Sequence, residues 1–379
     1  MTAAHQLIDE VFRNDPAKIV RETTARVEQR LDTASDGLVL YGAGHYGRMA
    51  AAALRGRGMV PKAFLDRDST KAGGECAGIP IIALDTVDGD QLRKSLVVVT
   101  VYNCVAVLQE LTRRGIKAIT YAQLATALGE PLMPYCGIQH PSVLWEDESA
   151  VRAAIDLWAD EESRREYAAQ LAWTLDLDPF RLPTPRPPRD TYFEPSLVTL
   201  GSHEVFIDCG AFDGDSIEAF RARCPGYKAL VALEPDPTNR LHFAHRFGGE
   251  AAMAAARISL LPYAASDRRE TVAFDVTGTA GSAIAETGLQ IEAAPLDDLV
   301  ADLAPTFIKM DIEGAERRAL AGAGAIMRSH EPQLAICLYH DRRHLWEIPL
   351  QIAESQHEYR LNLRRYADEC WELVCYGAV

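Results

Sequence analysis

Val205–Ser216 reads VFIDCGAFDGDS. An apolar run ending in an acid, then glycines at 210 and 214, is the pattern of a strand that turns tightly into a helix. Such turns usually cradle phosphates, because helix N-terminal amides favour anions. This turn carries Asp208, Asp213 and Asp215 instead. A pyrophosphate would meet carboxylates here. A nucleoside with a cationic end suits the charge better, since opposite charges attract at short range.

Working outward, strand-like and helix-like runs alternate to the end of the chain. EVFID, KALVALE, ISLLPYAAS, TVAFDV, TFIKMD and QLAICLYH read as strands, with helices at DSIEAFRARC, DPTNRLHFAHRF, GAERRALAGAG and HLWEIPLQIAES. EYRLNLRRY and CWELVCYG close the chain as two strands near enough in sequence to pair antiparallel. These eight runs make a seven-strand-like α/β layout, mostly parallel. In an open sheet of that kind the carboxyl ends of the strands line one crevice. Glu234 ends the second strand (ALEPD), where a carboxylate can accept both ribose hydroxyls. Ser266 and Asp267 follow the third, near where an adenine would lie, and Asp311 ends the fourth. Taken singly, each acid could be a helix cap or a solvated turn, which is the reading adopted for Asp215 and Asp236.

A second glycine loop lies upstream. LYGAGHYGR, residues 40–48, places Gly42, Gly44 and Gly47 in G-x-G-x-x-G spacing between a strand and a helix, with Asp66 at the end of the next strand. That is the context of a dinucleotide fingerprint. It makes NAD or a nucleotide sugar the expected ligand, although the same turn can serve packing alone. Between the two halves, ESAVRAAIDLWADEESRREYAAQLAWTL has helical periodicity, and DPFRLPTPRPPRD holds five prolines and cannot be regular helix or central strand. The expected division is a Rossmann-like domain over 1–129, a helical and Pro-rich connector over 130–195, and the second α/β domain over 196–379.

Bulk properties narrow the classes. With 379 residues, 48% hydrophobic and 25% charged, the chain is that of a multi-domain globular protein. A formal net charge of −15 argues against nucleic acid or an anionic membrane as the main partner. Eight cysteines without a CxxC pair suit a reducing cytoplasm and indicate neither a disulfide framework nor a zinc site. Asp311 and Glu313 with His340 could make a metal-ligand set, but the sequence has no compact ligand spacing, and no metal is expected. The N-terminus has no signal-peptide core, and the apolar run LVVVTVYNCVAVL is too short to span a bilayer.

FIDCGAFDGDS, LEPDP, AASD, FIKMDIEGAE and YHDRRHLWEIPLQI…YRLNLRRY, in this order over residues 196–379, resemble the FkbM family of S-adenosylmethionine-dependent methyltransferases. The resemblance implies O-methylation of a hydroxyl on a sugar, glycan or polyketide-like acceptor. S-adenosylmethionine carries a sulfonium and an ammonium and no phosphate, which agrees with the acidic loop. The expected cofactor contacts are Asp208, Gly210, Ala211, Phe212, Asp213, Gly214, Glu234, Ser266, Asp267 and Asp311. Phe212 departs from the small or polar residue common at that loop position. The N-terminal motifs LYGAGHYGR, KAFLDRD and GIPII look like small nucleotide-sugar-binding domains of sugar-modifying enzymes, and a homodimer is compatible with them.

Methyl transfer to an alcohol needs in-line alignment and a proton acceptor. His340, at the end of QLAICLYH, is the first candidate base, with Asp311 and Glu313 as the other candidate catalytic residues. Lys309 lies within a strand and is expected to face away from the site. Arg364 and Arg365 are candidates for acceptor contact, Tyr339 and Trp346 read as core, and Cys209 as a structural thiol. The competing readings are an oxidoreductase using NAD at the upstream loop and a non-catalytic binding protein.

Overall fold

The computed structural model describes residues 2–87, 89–128, 139–278 and 281–379. The expected boundary at 129/130 lies outside the described residues. The chain forms two compact units. The first comprises Met1–Glu148, Arg165–Pro185 and Ala367–Trp371; the second comprises Ser149–Arg164, Arg186–Tyr366 and Glu372–Val379. The segment expected as a connector is thus shared between both.

In the first unit, strands β1 (Leu38–Tyr41), β2 (Ala63–Asp66), β3 (Glu75–Cys76), β4 (Ile79–Ala83), β5 (Leu96–Val99) and β6 (Ala118–Thr120) form one sheet, ordered β3-β4-β2-β1-β5-β6. All neighbours are parallel except β3 and β4. β1 and β5 are buried along their whole length, as a parallel sheet covered on both faces requires.

The second unit holds a seven-stranded sheet. Its strands are β7 (Val205–Cys209), β8 (Ala229–Leu233), β9 (Ile258–Leu261), β14 (Phe307–Met310), β15 (Gln333–Cys337), β16 (Arg360–Arg365) and β17 (Leu373–Ala378), ordered β16-β17-β15-β14-β7-β8-β9. The last two pair antiparallel, and β17 lies antiparallel to β15. Two expectations change. ISLLPYAAS is two strands, because Pro262 has no N–H to continue the ladder. Its second half, β10 (Tyr263–Ala265), joins a separate four-stranded sheet with β11 (Glu270–Asp275), β12 (Ala283–Ile284) and β13 (Leu289–Ala294), ordered β10-β13-β11-β12. The long helix over 148–175 is likewise interrupted, where Trp158 bridges to Leu361 and the Ala159 N–H donates to the Leu361 carbonyl at 2.7 Å. Tertiary pairing with a sheet edge there overrides helix propensity.

In the second unit an aromatic stack anchors the chain at Phe193, a few residues after the Pro-rich segment. Phe206 stacks on Phe220 at 4.6 Å and on Phe307 at 5.3 Å, and Phe193 closes the group at 5.9 Å from Phe206. All four rings are buried. Phe193 follows Tyr192 directly, so burying one ring sets where the other reaches. Phe206→Ala should cost about 3–5 kcal/mol. Urea unfolding followed on the second unit reads this loss, and an unchanged midpoint would remove Phe206 from the core.

Candidate active site

The loop after β7 is folded back on the end of β8: the Gly210 and Ala211 N–H groups both donate to the Leu233 carbonyl, at 3.0 and 3.2 Å. Gly210 has φ +81°, and a Cβ there would overlap the Asp311 carbonyl oxygen. Gly214, at φ +91°, leaves no room for a Cβ against Phe247 and opens the helix Asp215–Arg223. Phe212 between them is also left-handed, at φ +46°. Its N–H donates to Glu234 Oε2 at 2.8 Å, while Glu234 Oε1 accepts the Asp236 N–H at 2.8 Å. Burial pushes the Glu234 carboxyl up to about 7 despite these two donors.

Most of the other acids here have cations of their own. Asp208 and Lys309 are paired across the parallel register of β7 and β14, so both side chains share one face of the sheet. Lys309 Nζ lies 2.9 Å from Asp208 Oδ1 and 2.9 Å from the Gly210 carbonyl. The expectation that Lys309 faces away fails for that reason. Burial alone would lower the Lys309 ammonium, but the Asp208 and Asp311 charges hold it above its ordinary value. Ser216 donates to the second Asp208 oxygen, Asp213 pairs with Arg246, and Asp267 lies 2.7 Å from Arg318 and accepts from Ser266 Oγ at 3.2 Å. Asp236 caps its helix through the Thr238 N–H.

A second cluster gathers at the ends of β14 and β15. Asp311 Oδ2 accepts from Tyr192 at 2.6 Å and Oδ1 from Tyr339 at 3.1 Å. His340 Nδ1 lies 2.8 Å from Glu316 Oε1; its Nε2 lies 3.3 Å from Asp311 Oδ1 and 3.6 Å from Glu313 Oε2. Asp311, Glu316 and His340 offer donor atoms within 4.8 Å of one another. His344 Nδ1 is 3.3 Å from Glu316 Oε2, and Tyr192 reaches Glu372 Oε2 at 3.4 Å. Burial would lower His340, but Glu316, Glu313 and Asp311 raise it to about 10. Burial lifts Glu313 to about 7. Asp311 would also rise by burial, yet Lys309 and His340 hold it below its ordinary value. Tyr192, Phe212, Glu313 and Glu372 all have left-handed backbones, at φ +65°, +46°, +54° and +52°. Strained residues of this kind gather at functional sites.

Sequence reasoning assigned no role to Tyr192, Glu316, His344 or Glu372. Glu316 lies inside the quoted IEGAE motif. Its distinguishing feature, full burial against a histidine 24 residues on, is a tertiary fact. Arg364 is buried on Asp160 at 2.7 Å, a structural pair.

In the first unit, Gly42 has φ +108°, and a Cβ on Gly47 would overlap the Gly42 carbonyl, while Gly44 faces open space. Asp66 Oδ2 accepts from the Ala43 N–H and lies 2.9 Å from Lys71 Nζ. Tyr46 and Tyr102 stack at 5.3 Å beside Trp371, which lies edge-on to Tyr102 at 4.8 Å. The Asp368 carboxylate accepts the Val105 N–H at 2.8 Å, near the start of the helix Cys104–Arg113.

The second unit is therefore a methyltransferase-type sheet with an acidic cofactor loop. Residues 208–370 match the methyltransferase FkbM domain. The crystal structure of methyltransferase FkbM from Methylobacillus flagellatus KT aligns with 99% of this chain and 98% of its own, at TM-score 0.74 and 24% identity, which establishes the shared fold. An rRNA methylase from Streptococcus thermophilus covers 48% of this chain and 89% of its own, at 12% identity and TM-score 0.30. Aeropyrum pernix fibrillarin with natively bound S-adenosyl-L-methionine covers 51% of this chain and 75% of its own, at 8% identity and TM-score 0.31. Neither carries weight for this chain. No curated protein matches it. Among the described residues, no helix is long and apolar enough to cross a membrane.

The cofactor of the domain is S-adenosylmethionine, and the residues fit it. Glu234 is held by amides and not by a cation, so its charge and remaining lone pairs stay available to ribose hydroxyls. Lys309 and Arg246, the two cations bonded to the loop, are already engaged by Asp208 and Asp213, which leaves them unsuited to a phosphate.

Two outcomes follow. Lys309→Met should cost about 3–5 kcal/mol by stranding Asp208, read by chemical unfolding; a loss below 1 kcal/mol would show that Asp208 is not charged. A ribose contact at Glu234, which has Asp236 as its neighbouring carboxylate and Arg240 bonded to its carbonyl, would need the ionised carboxylate. S-adenosylhomocysteine affinity should then fall as pH drops through about 7. Glu234→Gln should weaken binding about tenfold or more and flatten that profile in calorimetric titrations. A wild-type affinity that is flat with pH would take Glu234 out of the ribose contact.

Proposed function

We propose that this protein methylates a hydroxyl oxygen of a sugar, glycan or polyketide-like small molecule. One observation carries the reading: beyond the cofactor loop, Asp311, Glu313 and His340 converge with the Tyr192 and Tyr339 hydroxyls on one polar end of the crevice. Such an end receives a neutral O–H, since carboxylate oxygens accept its hydrogen bond and fix its lone pair in direction. S-adenosylmethionine, when bound, supplies a methyl on a sulfonium: the acceptor oxygen forms the new C–O bond, and the C–S electron pair returns to sulfur as S-adenosylhomocysteine.

The chain's own residues do the rest. Glu234 orients the ribose. Asp311, fixed by two tyrosines, directs the acceptor hydroxyl. Glu313, with 14% of its side chain exposed, takes the hydroxyl proton and passes it to water.

The test is incubation with methyl-deuterated S-adenosylmethionine and panels of sugar, polyketide-like, amine and carbon-acid acceptors. A labelled methoxy group by NMR, with mass gain of one labelled methyl, is the expected product. Label on nitrogen or carbon acceptors alone would overturn the reading. Glu313→Gln should lower kcat by about 10²–10⁴ while leaving S-adenosylhomocysteine affinity unchanged.

A further inference from the structure

We infer that His340 is the fixed cation of the acceptor end: an imidazolium, clamped by Glu316, that positions the Asp311 and Glu313 carboxylates and takes no proton itself. The inference deepens the hydroxyl-acceptor reading and rests on it for the role of Glu313, though not for the charge on the ring.

The argument starts at the ring, whose side chain is 1% exposed. Both of its nitrogens face carboxylate oxygens. Nδ1 lies 2.8 Å from Glu316 Oε1, at the start of the helix Glu316–Ala321. Nε2 lies 3.3 Å from Asp311 Oδ1 and 3.6 Å from Glu313 Oε2, both on the loop after β14. A neutral imidazole has one N–H and one lone pair. Whichever nitrogen lost its proton would turn a lone pair on a buried carboxylate, which is costly. Only the doubly protonated ring offers an N–H on each side. The local charges agree: burial would lower His340, but Glu316, Glu313 and Asp311 raise it to about 10. Burial would raise Glu316, yet His340 and His344 hold it below its ordinary value. The donors do not close around a metal ion, because Glu316 occupies one ring nitrogen and the other two carboxylates face the opposite one.

Glu316 is the clamp. The same Oε1 that meets Nδ1 accepts the Ile312 N–H at 2.9 Å, and Ile312 lies between Asp311 and Glu313. One carboxylate thus fixes both the ring and the loop that carries the two acids facing it. Its Oε2 lies 3.3 Å from His344 Nδ1, in the helix His344–Ser355. The Tyr339 ring packs 4.2 Å from the imidazole, and burial raises its phenol, so it stays un-ionised. On the far side, the Nε2 charge is shared between two oxygens and aligned on neither. It attracts both carboxylates and leaves lone pairs to an acceptor O–H. Burial and the Asp311, Glu316 and Glu372 charges push Glu313 up to about 7, while His340 pulls it down. Glu372, lifted by burial to about 7, is drawn down by His340 as well. Without that positive charge Glu313 would keep its proton to higher pH and be a poorer acceptor near neutrality.

The test uses the full chain, labelled with ¹⁵N in the histidine rings and ¹³C in the glutamate carboxyls, and read by NMR. His340→Gln assigns the ring signal; should that variant not fold, the displaced signal in Glu316→Gln assigns it. At about pH 8, well above the ordinary histidine midpoint of about 6.5, the His340 ring should still carry two N–H groups. A ring with one N–H there would overturn the inference. The Glu313 midpoint, assigned with Glu313→Gln, should move from about 7 to about 8 or above in His340→Gln. An unmoved midpoint would overturn the positioning role. Turnover separates positioning from base catalysis. His340→Gln should lose about fivefold or more at about pH 7 and regain most of it by about pH 9, as Glu313 ionises. A loss that persists at about pH 9 would make His340 the proton acceptor and overturn the inference. The ring measurement needs no acceptor, so the two claims stand apart. Two N–H groups in a protein that methylates no hydroxyl sink the acceptor reading alone. One N–H in a protein that does methylate one sinks the imidazolium alone.

Discussion

The buried ion pair between Lys309 and Asp208 holds the second unit's site together. Its side chains are 3% and 0% exposed, so neither charge is solvated by water. Each therefore depends on the other, and the pair ties β7 to β14 at the point where both strands deliver their loops. The ammonium also bonds to the Gly210 carbonyl and lies 5.0 Å beneath the Tyr192 ring. One cation thus meets both the glycine loop and the ring of the tyrosine whose hydroxyl bonds Asp311. Replacing the pair with apolar residues of similar volume could preserve stability, but nothing apolar would hold the Gly210 carbonyl in place.

The same pair answers the question raised by acids in a glycine turn. Asp208, Asp213 and Asp267 do not wait for a cationic ligand; Lys309, Arg246 and Arg318 already meet them. The charge left over belongs to Glu234, held by amides, and to the cluster around Asp311. The acids of the turn are thereby matched by cations within the chain. This division of charge agrees with a ligand that has a diol at one end and a sulfonium near the other.

Much of the fold was legible because it follows from local pattern. VFIDC and FIKM are apolar runs bounded by glycine and acid, and both are buried strands. The closing hairpin could be read from two β-rich segments a few residues apart. What escaped had no local signal. LQIEAA has the alternation of a half-buried strand, yet β13 was missed because its partners belong to a separate small sheet. Lys309 was misplaced because strand alternation alone does not say which face a parallel neighbour presents; the register Lys309↔Asp208 decides it. Tyr192 is 119 residues from Asp311, and tertiary contacts, the burial of Phe193 in the aromatic stack and the Lys309 ammonium under its ring, bring it there.

Four site residues with left-handed backbones show how much the surrounding structure must impose. For a residue with a Cβ this conformation costs about 1–2 kcal/mol, and glycine would relieve it. Glycine cannot replace Glu313 or Tyr192 without losing the carboxylate and the hydroxyl that the cluster uses. At Gly210 and Gly214 the reverse holds: any side chain would collide with Asp311 or Phe247, and no polar group is needed. Positive φ is thus met by glycine where the chain must pack closely and by a functional side chain where the crevice needs one. The strain at Tyr192, Phe212, Glu313 and Glu372 is sustained by the packing beneath them. The Lys309–Asp208 pair and the four stacked rings are therefore as much a part of the chemistry as the groups that face the crevice.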